Sequence, residues 1–574
     1  MPASAVPSSP AAAAPADESP RVETRWARLE WFILAVVIAA QLLPLLLLPY
    51  VPTQDGPSHQ ALAYALRVYD RPEGAPLREY LVPNDEALPN WFVFFLQARV
   101  LAFVSVAAAE KILIAAYVVL LPLGLRYASR AVDPRAGFLA VLGLPFTYNF
   151  LFGMGFLNFC WSLAAFCFAF GFYLQRRERF RWRDALPLAL FAGWVYVCHP
   201  VTLVMLLVAV GTFGAGQVLV GIRERAGGVD GAAGGAAAAW WRAVRERLLV
   251  PLVSFVPVLV LLIAFVGRRL DRPTARLGFV VKAKQLFALY SLVSFDRRIL
   301  IVSCGLAALL AALAGVLLWK RWREGALRPR GDDALLAVAA VFTLVYFVAP
   351  SDLAGGGFVN HRLALFPPLA LMLWLATGAW ATRSRWATQA AAVMLTTAML
   401  ALLWTRWADI DRYLDEYVAV AERVEDGSTV LPLAFAPAGI EVPSGGSAHH
   451  VAFRVWPFVH ALGYVAARRP IVDLGLYEAA EDYFPLRFRP DLDPYRHLSI
   501  GLLGMEEVPP RVDIPRYERQ GGRVDYVLLW QPQALENREP ATERLYRDLE
   551  ERFSRVHVSA HGNGELWRRK TADR

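Results

Sequence analysis

Apolar residues fill the first 405 positions in long blocks separated by short polar or basic connections. A helix crossing a bilayer needs about 17–25 mostly apolar residues. Eleven blocks reach or approach that length: 29–50, 107–127, 136–153, 155–174, 184–199, 200–222, 249–267, 298–319, 334–350, 363–381 and 387–405. Neighbouring blocks meet at tight turns, Gly153-Met154-Gly155 and His199-Pro200. Past 405 the pattern changes. Residues 409–424 have the spacing of an amphipathic helix, and alternating segments at 429–435, 525–530, 556–559 and 565–567 predict strands between turns at Gly427, Gly521-Gly522 and Gly562-Asn563-Gly564. The predicted fold is a polytopic α-helical membrane protein of about eleven transmembrane helices (25–405) carrying a C-terminal α/β domain (406–574). Residues 1–24 are rich in Ala, Pro and Ser without periodicity and predict a disordered tail. The apolar run 31–51 is too long for a signal-peptide core, and no cleavage site follows it.

Composition supports the membrane reading. The 574 residues are 56% hydrophobic and only 19% charged, where a soluble domain carries about 25%. Mean hydropathy is +0.38. An aromatic content of 12% and the lack of a Gly-X-Y period exclude disordered and collagenous chains. The four cysteines, Cys160, Cys167, Cys198 and Cys304, all lie in or near the blocks and read as packing residues, so no disulfide framework is expected.

Charge sets the expected orientation. The net charge is +9, and only five of the 59 basic residues are lysine. A basic chain suggests nucleic acid, but here the arginines cluster between apolar blocks, which is the pattern of cytoplasmic loops, and no nucleic-acid partner is expected. With the N-terminus inside, the basic connections 128–135, 175–183, 223–248, 320–333 and 382–386 are cytoplasmic and the C-terminal domain is extracytoplasmic. Two outer segments depart from this. Segment 51–106 (the first external loop) is too long for a simple connection. Its residues 57–69 predict a short helix, and 91–103, apolar but with Gln97 and Arg99, a helix lying on the membrane surface. Segment 268–298 carries Arg268, Arg269, Arg272, Arg276, Lys282, Lys284, Arg297 and Arg298 around an apolar stretch. Phosphorylated or ordinary anionic lipid heads are the compensation expected for it.

Candidate chemistry concentrates at the outer ends of the blocks. Asp55, in Thr53-Gln54-Asp55-Gly56-Pro57-Ser58-His59, fits a helix N-cap before Gly-Pro. The residues alone favour the cap over the other reading, a tuned carboxylate that deprotonates a hydroxyl. Asp55 and His59, at i and i+4, also suit a divalent metal, though two ligands alone do not make a metal centre. Asp85 and Glu86 form a second acidic pair. His199 is either an imidazole facing a cavity or a turn histidine bonded to a freed carbonyl. In the loop 351–362, three glycines permit close backbone approach to a ligand. His361 and Arg362 follow, and an arginine fork at the interface suits phosphate, or snorkels to lipid heads. Lys282 and Lys284 are further candidates for a phosphate. No phosphate-loop, dinucleotide-binding, HExxH or nucleophile-elbow motif occurs in a suitable setting, and the glycines of 227–235 read as low complexity.

This arrangement resembles the GT-C superfamily of membrane glycosyltransferases, whose donors are polyprenyl-phosphate sugars. The resemblance rests on the N-inside first span, Asp55 opening a long first external loop, the span beginning Ala109-Glu110-Lys111-Ile112-Leu113, His199 at an outer turn, Arg362 entering a late span and the external α/β domain. The end of that domain, from Val524-Asp525-Tyr526-Val527 to Gly564-Glu565-Leu566-Trp567, is similar to bacterial members. The resemblance implies Asp55 as catalytic base, and His59, His199, Lys282, Lys284, His361 and Arg362 as substrate-binding residues. It further implies inverting hexosyl or pentosyl transfer at the outer face of a bacterial inner membrane, to a cell-envelope glycan, lipid or protein. The chain departs from two branches: no Asp-Glu pair follows the first span, as in protein mannosyltransferases, and no Trp-Trp-Asp run occurs, as in oligosaccharyltransferases. The chemistry implied needs no nucleotide, and a divalent metal remains open as a cofactor. An O-antigen-type polymerase or ligase is the alternative, opposed by the terminal position of the soluble part. A non-catalytic polytopic protein is the other, and a transporter among these would show internal repeats and midplane charges.

Reporter fusions test the orientation. Fusions near residues 180, 235 and 325 should report the cytoplasm, and all fusions after 406 the opposite side. A cytoplasmic C-terminal domain would put donor and acceptor on the wrong side of the membrane.

Overall fold

A computed structural model describes residues 20–86, 88–100, 102–226, 233–269, 274–325, 330–353, 355–441, 449–501, 504–534 and 540–570. In chain order, the helices that build the site are α1 (Pro20–Leu47), α2 (Gly56–Val68), α3 (Val106–Val132), α4 (Leu157–Gln175), α5 (Trp182–Cys198), α6 (Pro200–Ala226), α7 (Val256–Gly267), α8 (Phe279–Phe287), α9 (Ile299–Arg323), α10 (Ala334–Val348), α11 (Phe366–Leu375) and α12 (Thr382–Ala421). Among the described residues seven helices are long and apolar enough to cross a membrane, and an eighth forms if Trp240–Val253 and Val256–Gly267, bent by 49°, count as one. The three other apolar blocks are shorter pieces. Block 136–153 is a 3-10 helix, Pro134–Phe146, followed by the single turn Phe150–Gly153. Block 184–199 is α5, of 17 residues. Block 363–381 is Val359–Leu363 and then α11, which restarts at the Pro367-Pro368 pair, residues that open a helix but cannot continue one.

The N-terminal expectation is corrected in part. Residues 20–24 belong to α1, and 1–19 lie outside the described residues, as do the glycines of 227–232. The expected surface helix at 91–103 is short, Phe92–Phe95 and Leu96–Val100, with Gln97 buried and Phe95 and Phe103 exposed. Cys160, Cys167 and Cys198 are buried, but Cys304 is exposed.

The basic connections gather at one end of the bundle. Arg177 donates to Asp332 at 2.9 Å and to the carbonyl of Ala131, Arg321 pairs with Asp333, Arg247 reaches the carbonyl of Gln217, and Arg385 pairs with Glu30. Connections 128–135, 175–183, 223–248, 320–333 and 382–386 therefore share one side, as their arginines predicted. At the other end, acidic side chains within the fold pair with three arginines of the basic segment 268–298. Arg268 donates to Glu86 at 2.6 Å, Arg269 lies 3.3 Å from Asp482, and Arg298 and Arg406 both hold Asp296. Within that segment α8 is amphipathic, with Phe279, Val280 and Phe287 exposed and Leu286 buried.

The C-terminal α/β region is tied to the bundle by chain and by sheet. Helix α12 continues as one 40-residue helix through the expected boundary at 405/406, about 60 Å long. Its buried positions, from Leu403, Trp407 and Ile410 to Leu414, Tyr417 and Ala421, keep one face toward the core. The strands are β1 (Leu81–Pro83), β2 (Thr429–Ala434), β3 (Val472–Asp473), β4 (Leu486–Phe488), β5 (Tyr526–Trp530), β6 (Phe553–Val558) and β7 (Gly564–Arg569). One sheet has the order β3-β2-β5-β7-β6, parallel across β3, β2 and β5 and antiparallel beyond. Its central strands β2 and β5 are buried at every position, as parallel strands covered on both faces must be. β1, from the long segment after α1, pairs with β4, Leu81 opposite Phe488. Asn84 adds hydrogen bonds to the carbonyls of Asp482 and Phe484, and the Trp91 indole to that of Tyr483.

The chain between α1 and α2 is fixed from three sides. Tyr50 N donates to Asp411 of α12, and Tyr464 donates to the carbonyl of Val51. Gln54 N and Asp55 N donate to the carbonyls of Gly153 and Met154 at 2.9 and 3.1 Å. The next residue, Gly155, has φ +86°, and a Cβ there would lie 2.6 Å from the Gly56 nitrogen. Gly155→Ala should therefore lower stability by both backbone strain and overpacking, about 3 kcal/mol or more. Gly521→Ala, at φ +92° with open space around it, should cost only about 1–2 kcal/mol. Thermal unfolding of both purified variants checks the order, and equal losses would remove the close approach at Asp55 as the reason for this glycine.

Candidate functional site

A cavity of about 320 Å³ opens between the 51–59 segment, the α5–α6 turn, the glycine loop 355–357 and the C-terminal region. Asp55, His59, His199 and Arg362 all line it, together with Asn90, Phe156, Asn158, Phe358, His460, Tyr477, Glu481, Tyr483 and Glu506. Four of the seven residues singled out from the sequence thus meet in one place.

Asp55 precedes α2, but its side chain makes no capping hydrogen bond. It is 3% exposed, and its Oδ2 accepts a hydrogen bond from the Tyr477 hydroxyl at 2.8 Å. Oδ1 has no hydrogen-bond partner among the described residues and faces His460 Nε2 at 3.9 Å. Burial pushes the carboxyl up from 3.8 to about 7, against the lowering effect of the Tyr477 hydrogen bond, with Glu506 adding to the rise. Desolvation wins because one hydrogen bond is worth about 1 kcal/mol net, while loss of water around a carboxylate costs several. The group therefore exchanges a proton near neutrality.

Behind it lies a second buried acid. Glu478 is fully buried, with Oε1 2.5 Å from Ser58 Oγ and 3.3 Å from His59 Nε2. Burial, then the charge of Asp55, raises its pKa well above the usual carboxylate range. Burial first, and then His460, lowers His59 to about 3, so its ring is neutral. His59 and Glu478 thus form a neutral pair under α2. Among the described residues, no group of three or more His, Cys, Asp or Glu side chains is placed to hold a metal ion.

Arg362 enters from the short helix Val359–Leu363, just after the glycine loop. Its Nη1 donates to the carbonyl of Gly357 at 2.5 Å, its guanidinium lies 4.8 Å from the Phe156 ring centre, and its Nε has no partner. It is 9% exposed and makes no direct salt bridge among the described residues, although the charges of Asp352 and Asp55 lie within electrostatic reach. Phe358 before it has φ +57°, a conformation that costs a bulky residue about 1–3 kcal/mol and is typical of sites. A second, apolar groove of about 140 Å³, lined by Val201, Val204, Leu262, Phe265 and Val266 from α6 and α7, meets the cavity at Asn90, His199, Gly356, Arg362 and Tyr483.

The other three predicted residues lie elsewhere. His361 is next to Arg362 on the same turn, about 100° around the helix, and so faces away. Its ring nitrogens contact Ser291 Oγ at 3.1 Å and Arg454 Nη2 at 3.0 Å. Lys282 is buried and gives its three donors to the carbonyls of Tyr346, Phe347 and Ala349, where it caps the C-terminus of α10. Lys284 is exposed on α8, outside the cavity lining. Asp85 is exposed and Glu86 is held by Arg268.

The residues that sequence reasoning missed, Tyr477, Glu478, His460 and Glu506, all belong to the C-terminal region. The signal present was a turn-rich stretch, Val472-Asp473-Leu474-Gly475-Leu476-Tyr477-Glu478, with aromatic and acidic residues side by side.

No protein-family profile matches the chain, and no curated protein matches it in sequence. In backbone it is similar to the crystal structure of the Archaeoglobus fulgidus oligosaccharyltransferase tethered through a disulfide bond to an acceptor peptide containing the NVT sequon. The TM-score is 0.46 and the identity 13%, over 95% of this chain and 74% of that one.

The buried Asp55 makes stability depend on pH in a defined direction. Its folded pKa, about 7, lies above the unfolded 3.8, so the folded state holds the extra proton and loses stability as pH rises from about 4 to about 7. Asp55→Asn should remove that loss. The variant's stability relative to wild type should grow across this window, by up to about 4 kcal/mol. Thermal midpoints at pH 5 and pH 8 measure it, and a pH-independent difference would mean that Asp55 is not desolvated.

Proposed function

We propose that the chain is an integral membrane glycosyltransferase. It moves a sugar from a polyprenyl-phosphate donor to the hydroxyl of a cell-envelope acceptor at the outer face of a bacterial inner membrane, as the GT-C resemblance implies. The observation that carries this reading is the position of Arg362. A buried guanidinium that makes no direct salt bridge is costly. This one stands where an apolar groove opens into a polar cavity that also holds Asp55. An amphiphile with an anionic head joined to an apolar chain satisfies both features, the head on Arg362 and the chain between α6 and α7.

In this reading Asp55 Oδ1 takes the acceptor's hydroxyl proton. The acceptor oxygen then attacks the anomeric carbon, and the phosphate leaves with the bonding electrons. Arg362 meets the charge that grows on the leaving oxygen, and the preorganised fork costs no rearrangement at that moment. A single displacement inverts the anomeric configuration. His199 and the glycine loop shape the space between phosphate and acceptor.

Purified protein offered polyprenyl-phosphate hexoses and pentoses tests this. Asp55→Asn should lower transfer by about two to four orders of magnitude while polyprenyl-phosphate binding stays intact. Arg362→Ala should weaken that binding by about 1.5–3 kcal/mol, whereas Lys284→Ala, an exposed charge, should change it by about 1 kcal/mol or less. Unchanged lipid affinity in Arg362→Ala places the phosphate elsewhere, and full activity in Asp55→Asn removes the base.

A further inference from the structure

Tyr477 comes from the far end of the chain to the acid at the start of α2. It opens the turn Tyr477–Ala480 between β3 and β4, and its ring lies 5.0 Å from that of His460 and 6.1 Å from that of Phe484. These contacts leave its hydroxyl one prominent partner, Asp55 Oδ2 at 2.8 Å. Burial, and then the charge of Asp55, hold the phenol well above its ordinary pKa, so it remains a donor at every pH the protein meets.

A donor locked on one carboxylate oxygen has two effects. It stabilises the ionised form against desolvation. It also makes the two oxygens unequal, because Oδ2 is engaged while Oδ1, on a side chain that lines the cavity, is buried without a hydrogen-bond partner among the described residues. We propose that Tyr477 is the positioning residue of the Asp55 base, so that the C-terminal region completes a site whose base and phosphate anchor both come from the N-terminal 405 residues. The proposal rests on the reading of Asp55 as the general base. In the step itself the acceptor O–H proton passes to Oδ1, the bond from acceptor oxygen to anomeric carbon forms, and the bond from that carbon to phosphate oxygen breaks. Tyr477 keeps its proton throughout.

The test follows the Asp55 carboxyl directly, in the full-length protein without donor. The infrared difference between wild type and Asp55→Asn, titrated from pH 4 to pH 9, gives the midpoint of Asp55 alone. Tyr477→Phe keeps the ring and removes the donor, and should move that midpoint up by about 1 pH unit, as expected for loss of one hydrogen bond to a carboxylate. A fluorinated tyrosine at position 477, a stronger donor in the same space, should move it down. In the transfer assay, the acidic limb of the Tyr477→Phe pH–rate profile should shift upward by the same amount, with the KM for the donor unchanged. A midpoint unmoved by either replacement overturns the proposal, and a uniform loss of activity with an unshifted limb marks Tyr477 as structural only. If Asp55→Asn is fully active while the midpoint shifts, the base reading itself fails and the positioning role falls with it, although the hydrogen bond is real.

Discussion

A carboxylate has been taken out of water with no cation in direct contact among the described residues, and much of the architecture around it holds it there. The shift of Asp55 from 3.8 to about 7 corresponds to roughly 4 kcal/mol against the ionised form. One phenol hydrogen bond returns only a fraction of that. A fold tolerates such a group only if its surroundings cannot relax, and here they cannot. The backbone of 153–155 touches the backbone of 54–56, α2 begins at once with Gly56-Pro57, and the turn at Gly463 presses on the carbonyl of Pro57. The destabilised group is also one that lines the cavity.

Many charges elsewhere are paired. At the end of the bundle away from the cavity, Arg177, Arg321 and Arg385 each meet an acidic residue on another element. At the cavity end, Glu86, Asp482 and Asp296 pair with Arg268, Arg269 and Arg298, and Lys282 donates to the last carbonyls of α10. Arg362 differs in lying at the meeting of the cavity and the apolar groove, with its Nε unpartnered.

How much of this could be read in advance depended on the range of the interactions. Spans were legible because bilayer thickness imposes a length on apolar runs, although Pro145 and Pro367-Pro368 divided two of the predicted runs into shorter pieces that length alone could not foresee. The strands around 430, 526 and 566 were legible through their turns and alternation. Asp55, His199 and Arg362 were legible because each sits at the end of an apolar block, where a polar residue needs a reason. Lys282 and His361 looked equivalent to Arg362 in one dimension. What separates them is rotation about a helix axis and the reach of a side chain to carbonyls 64 to 67 residues away. Tyr477, Glu478 and His460 left no pattern, because contacts across some 400 residues impose no period on the sequence that makes them.

The distance along the chain between Asp55 and Tyr477 also has a meaning in time. The two are 422 residues apart, and a ribosome adding about 5–20 residues per second makes the first roughly 20–80 s before the second exists. During that interval the strand Leu81–Pro83 has no partner strand, Asp55 has no phenol, and the cavity lacks one wall. A nascent chain of this protein therefore carries an unpaired strand and a carboxylate without its phenol until residues past 477 emerge. Products that stall before that point would lack both the Asp55–Tyr477 contact and the cavity wall that Tyr477 supplies.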